Sequence, residues 1–129
     1  EAAQLVILSE SNSTVIDESN VELLSDNASL KLGESIYKQN CKICHGNGGK
    51  GMQGSGPNLT DQYWKHGGGV NNVFKTVKYG VIEKGMVPWK DNLSPSKIQQ
   101  VVSYILSLQG SNPEGAKEPE GDLWVPEKQ

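Results

Sequence analysis

The 129-residue sequence predicts an all-α domain in which an early and a late helix cross, a short helix lies between them, and loops wrap one covalent group. Three observations predict it. Asp26 and Ser94-Pro95 each open a stretch with helical apolar spacing. Gly33 interrupts the first of these stretches, where it costs about 1 kcal/mol against Ala unless a second helix approaches closely. Between the two lies Cys41-Lys42-Ile43-Cys44-His45, which contains the only two cysteines of the chain. This spacing is the attachment signature of a c-type haem. The thiols add to the two vinyl groups as thioethers, and the adjacent His45 lies under the iron as proximal ligand. A lone CxxC also suits a redox disulfide or half a zinc site. No second CxxC or HxxxH pair completes a zinc site, and no strand-rich βαβ pattern surrounds the motif.

Composition agrees with a small core completed by a cofactor. The hydrophobic fraction is 35%, with one Phe and 15 Gly, so one covalent haem would supply much of the interior. The length suits one domain with flexible ends. No apolar run approaches the roughly eighteen residues of a membrane span, and Ala2–Leu8 is too short and lacks a basic leader. A chain opening on Glu1 reads as a mature or excised piece, with a membrane anchor upstream or supplied by a partner subunit. The net charge of −3 is unevenly spread. Residues 1–30 carry six acids and no lysine, residues 31–90 nine lysines and three acids, and residues 91–129 six acids and three lysines. The basic middle is either a solvated surface or a fringe that steers acidic redox proteins. An acidic pI near 5.3 and the absence of arginine exclude nucleic acid as a partner.

Residues 1–25 show no sustained period and read as an extended lead-in or linker. Val15-Ile16 and Leu23-Leu24 offer short apolar patches to the domain, which is expected over 26–110. Its first helix runs from an Asp26 cap to about Asn40. Leu30, Gly33 and Tyr37 share one face, with Leu32 and Ile36 beside them. After His45, six glycines in eleven positions form neither a phosphate loop nor a dinucleotide fingerprint, and they suit tight turning round a haem edge. In Gly56-Pro57-Asn58-Leu59-Thr60, the Pro57 carbonyl is the candidate acceptor for the second N–H of His45, and Leu59 is the candidate to press on the haem. Trp64 is a candidate propionate donor through its indole N–H, or plain core.

Asn71 or Asn72 is expected to cap a short helix through Tyr79, with Val73, Phe74 and Val77 inward and Gly80 as its stop. In Lys84-Gly85-Met86-Val87-Pro88-Trp89, Met86 supplies a soft thioether suited to the distal side of haem iron. Met52 and His66 are the competing ligands. The last helix spans Ser94 to about Leu108, its stripe of Ile98, Val101, Val102, Ile105 and Leu108 facing Gly33 and Tyr37, with Gly110 as terminator. Residues 111–129 form an acidic, proline-punctuated tail with no regular structure expected, tacked down by Trp124.

The haem motif, GPNLT segment, GMVPW loop and terminal helix come in the order of a class I cytochrome c domain, which the chain resembles over residues 26–110. Asn58–Gly68, Asn20–Leu24, Lys84–Trp89, Ser103–Pro113 and Ala116–Gly121 are similar to the haem c subunit of cbb3-type cytochrome c oxidases. The resemblance implies thioethers at Cys41 and Cys44, axial ligands His45 and Met86, and one-electron transfer, without catalysis of its own, into a membrane oxidase. It implies a periplasmic position on the outer face of a bacterial membrane, beside other oxidase subunits. Most of that family carry two CxxCH motifs, whereas this chain has one. Alternatives are a similar domain of a nitric oxide reductase or dehydrogenase, a free carrier, a five-coordinate haem enzyme or gas sensor, and a haem-free thiol–disulfide protein.

Overall fold

In the computed structural model, which describes residues 16–111 and 113–124, the Asp26 carboxylate accepts from the Ser29 N–H at 3.0 Å. That bond satisfies an orphan donor of the first helical turn. Four α-helices follow among the described residues: α1 (Asn27–Asn40), α2 (Lys42–His45), α3 (Gly69–Tyr79) and α4 (Pro95–Ser107). Short 3₁₀ turns lie at Asn47–Gly49 and Ile82–Lys84. Ser94 caps α4 by accepting from the Lys97 N–H at 3.3 Å, with Pro95 in the first turn.

α1 and α4 cross at Gly33. A Cβ added there would stand 2.8 Å from Tyr104 Cβ and closer still to the Gln100 carbonyl, so only glycine permits the approach. One turn on, the Tyr37 and Tyr104 rings meet at 5.6 Å between centroids, tilted by 55°. Ile98, Val101, Val102 and Ile105 are buried as expected, and they join Tyr37, Cys41, Leu59, Val73, Phe74, Val77 and Leu93 in one core. Ile36 packs against that core, whereas Leu32 is exposed. Position 32 lies about 100° round the helix from Gly33, which turns it off the crossing.

α3 departs from its expected start. It begins at Gly69, with Gly68 as N-cap and no side-chain cap. Asn71 and Asn72 sit inside the first turn instead. Asn71 Oδ1 accepts from the Val21 N–H at 2.7 Å, and Asn72 Nδ2 donates to the Gly68 carbonyl at 2.8 Å. Both amides serve tertiary and turn contacts, so neither is free to cap. Gly69 has φ 86° and lies under the Trp124 ring, which a Cβ there would approach to 2.6 Å.

The flanks are docked on this frame. Val21 is buried in the core, Leu24 N–H donates to Ser103 Oγ at 3.0 Å, and Gln99 Nε2 donates to the Glu22 carbonyl at 2.9 Å. Val15 lies outside the described residues. The expectation of an irregular tail is corrected. Strands β1 (Tyr63–Trp64) and β2 (Asp122–Leu123) pair antiparallel, Tyr63 opposite Leu123 and Trp64 opposite Asp122. Trp124 N–H extends the pairing to the Gln62 carbonyl at 2.8 Å. The partners are about sixty positions apart, so no local pattern announces the pairing. Among the described residues no helix is long and apolar enough to cross a membrane.

Candidate haem site

α1 passes directly into the CxxCH motif. The Cys41 N–H donates to the Tyr37 carbonyl at 2.8 Å, and the Cys44 and His45 N–H groups donate to the Cys41 carbonyl at 3.1 and 3.0 Å. This single turn separates the thiols by environment. Cys41 is buried in the core and Cys44 is exposed, and both are free. Burial, then the neighbouring Cys44, pushes the Cys41 thiol up to about 11.

His45 Nδ1 lies 3.0 Å from the Pro57 carbonyl oxygen. A carbonyl only accepts, so the Nδ1–H donates and the Nε2 lone pair is left for another partner. Burial lowers the His45 pKa, the bond to Pro57 opposes that shift, and the positive charge of Lys117 adds to it. The ring is therefore held neutral at neutral pH, the form that ligates metal.

The glycine loop returns onto the motif to make this contact. Gly51 N–H donates to the His45 carbonyl and Gly56 N–H to the Cys44 carbonyl, both at 2.7 Å. A Cβ at Gly56 would stand 2.6 Å from His45 Nδ1 and 2.7 Å from Cε1, so glycine is required for the Pro57 carbonyl to reach the ring. Tyr37 Oη donates to the Gly46 carbonyl at 2.7 Å and Leu59 N–H to the Gly49 carbonyl at 2.6 Å. Leu59 is buried in the core.

Met86 is half-buried against the same core, on the loop that follows α3. Val81 and Met86 exchange two backbone bonds of 2.9 and 3.0 Å round the Ile82–Lys84 turn. Beyond Met86, Trp89 N–H donates to the Val77 carbonyl at 3.1 Å and Lys90 N–H to the Lys78 carbonyl at 3.2 Å. Met52 and His66 are both exposed. Neither belongs to the core that holds Cys41, Leu59 and Met86.

Trp64 packs against the core, yet its Nε1 is shielded from solvent with no hydrogen-bond partner among the described residues. A buried donor of this kind is rare in native proteins, and here it matches an acceptor carried by a bound group. Open Nε2 of a neutral His45, two free thiols and the orphaned indole together fit a covalent haem.

Asn58 and Lys117 escaped sequence reasoning. Asn58 is buried, its Oδ1 accepting from Thr60 N–H at 2.8 Å and Thr60 Oγ1 at 2.7 Å, its Nδ2 donating to the Lys117 carbonyl at 3.0 Å. The Pro-Asn turn was the available signal. Its tail partner had none.

The family model described as cytochrome c oxidase, cbb3-type, subunit III matches residues 28–105. The chain belongs to that family. Among curated members, the cbb3-type oxidase subunit FixP of Bradyrhizobium diazoefficiens is 42% identical over 80 residues, covering 60% of this chain and 27% of that protein. Subunit CcoP of Rhodobacter capsulatus is 38% identical over 95 residues, covering 67% of this chain and 31% of that protein. The chain thus spans less than a third of the length of either relative. Among solved structures, cytochrome cL of Methylophaga aminisulfidivorans superposes with a TM-score of 0.61 at 25% identity, covering 74% of this chain and 73% of that one. The fold is that of the class I cytochromes c, with the small β1–β2 pair added to an all-α frame.

Proposed function

We propose that this subunit III domain transfers single electrons through one covalently bound haem c, from a redox protein donor towards the other subunits of a membrane cbb3-type oxidase. The observation that carries this reading is the His45–Pro57 contact. It fixes the tautomer and leaves the Nε2 lone pair for another partner, immediately after the paired thiols. In this reading Cys41 and Cys44 hold the macrocycle, and His45 and Met86 are the axial ligands. Pro57 orients His45, Leu59 presses on the haem, and Trp64 donates to a propionate. The bound haem supplies a one-electron iron couple. With haem bound, His45 and Met86 would ligate its iron, and the chain's own residues would exclude water from the core side and present one edge to partners. No substrate site is then needed, and oxygen chemistry belongs to another subunit. Residues 26–110 form the haem-holding unit, and the domain works in the periplasm at the outer face of the bacterial membrane. Family membership and the similarity to FixP and CcoP support the oxidase as acceptor.

Mass spectrometry of the isolated chain is expected to show one haem joined through both cysteines. An unmodified mass sinks the haem assignment. Met86→Ala is expected to abolish the far-red band of thioether ligation and to open the reduced iron to carbon monoxide. It should also lower the reduced-to-oxidised ratio at fixed potential at least about tenfold, which is about 59 mV for a one-electron couple. An unchanged spectrum transfers the ligand role to Met52 or His66. Stopped-flow mixing of the reduced chain with a cbb3 catalytic core tests the acceptor, and failure of that core to oxidise it removes the address alone.

A further inference from the structure

The tail segment 113–124 lies against two of the segments assigned above to the haem. Lys117 N–H donates to the Lys50 carbonyl at 2.8 Å, and the Lys117 carbonyl accepts from Asn58 Nδ2 at 3.0 Å. Lys117 is thereby held between the glycine loop and the Pro57-Asn58 turn. The packing is close. A Cβ at Gly51 would meet Asn58 N at 2.7 Å and both Lys117 Cβ and the Pro57 carbonyl carbon at 2.9 Å. Gly51 itself is bonded to the His45 carbonyl at 2.7 Å. Further on, β2 pairs with the strand bearing Trp64, and the Trp124 ring covers Gly68 and Gly69.

The Lys117 ammonium is folded down, its side chain 14% exposed, and pairs with Glu120 at 2.8 Å. The other Glu120 oxygen takes Lys65 at 2.8 Å. Lys117, then Lys65, holds the Glu120 carboxyl below its usual range, so it stays ionised at neutral pH. The cluster therefore carries two positive charges and one negative beside the glycine loop, with Lys117 and Glu120 partly covered and Lys65 exposed, so the Lys117–Glu120 pair is screened less by salt than Lys65 is.

We propose that residues 113–124 are a proximal strap, and that Lys117 on it is a positioning residue that sets the redox poise of the group ligated by His45. The proposal rests on His45 as the iron ligand. Reduction adds one negative charge to the iron, with no bond made or broken in the chain. A fixed positive charge on the proximal side favours that added charge and a fixed negative one opposes it. Lys117 thus pulls the couple towards the reduced form and Glu120 restrains it. Through its backbone, Lys117 also holds the turn whose Pro57 carbonyl orients His45.

Potentiometric titration of the haem-loaded chain tests this by sign. Lys117→Gln should lower the reduced-to-oxidised ratio at a fixed ambient potential by about threefold, and Lys117→Arg should restore it. Glu120→Gln should raise the ratio by a similar factor. A strap that acted only as a mechanical clamp would be loosened by either neutral substitution, shifting both variants in the same direction. Shifts of the same sign overturn the proposal, as do ratios unchanged in both. Should Lys117→Gln fail to fold, a Glu120→Gln ratio that does not rise overturns it alone. A parent chain lacking covalent haem instead overturns the underlying function, with a signature that no strap variant produces.

Discussion

Cys41 and Cys44 are one helical turn apart, yet one faces the core and the other faces water. The difference comes from α1 running straight into the motif, which rotates Cys41 beneath Tyr37 and leaves Cys44 on the outer side. A thiol pushed up to about 11 by burial holds almost no thiolate at pH 8. In the haem-free chain, alkylation at pH 8 should therefore modify Cys44 at least about tenfold faster than Cys41, read by mass mapping. Equal rates would mean that the turn forms only around the cofactor. The motif itself was legible from spacing. Which thiol is sheltered was not, because that depends on the core assembling over Cys41. His45 divides similarly. Its proposed role follows from adjacency to the cysteines, whereas its neutral state depends on burial and its tautomer on a carbonyl twelve positions away.

The crossing of α1 and α4 was readable because its signals are local. Caps at Asp26 and Ser94 bound the helices, and a helical glycine with Tyr37 one turn later marks the contact. Gly33→Ala should gain up to about 1 kcal/mol in helix propensity. It should lose more to collision with Gln100 and Tyr104, since overpacking costs about 1–3 kcal/mol. The net expectation is a lower melting temperature for the loaded chain, and an unchanged one would mean that the helices part without penalty. α3 differs from its expected start for the opposite reason. The Trp124 ring and the Gly68 carbonyl bonded to Asn72 organise Gly67-Gly68-Gly69 as a helix entrance, and the first of these comes from a residue over fifty positions away.

Across the molecule, charge and packing follow different maps. The basic middle is partly neutralised by the flanks, with Lys78 bound to Glu18 at 2.7 Å and Lys65 to Glu120 at 2.8 Å. Lys42, Lys75, Lys84 and Lys90 remain exposed and make no ion pair among the described residues. Electron exchange with an acidic redox protein should therefore slow by about tenfold or more as ionic strength rises from about 10 to about 150 mM. A rate indifferent to salt would assign these lysines to solvation alone. The two flanks also act as braces. The lead-in ties α3 to α4 through Val21 and Leu24, and the tail ties the proximal loop to the Trp64 strand.

The bounds of α1 and α4 are written in caps and apolar periods, which act over one or two turns of chain, so the sequence carried them. The haem motif and the candidate ligands His45 and Met86 are proposed from equally short spacings. The proximal side is different. Lys50, Asn58 and Lys117 meet only after the glycine loop folds back and the tail pairs with Tyr63-Trp64. Contacts across fifty-nine positions have no local signature, so the strap, the sheltered lysine and the orphaned Trp64 donor became visible only once the whole chain was packed.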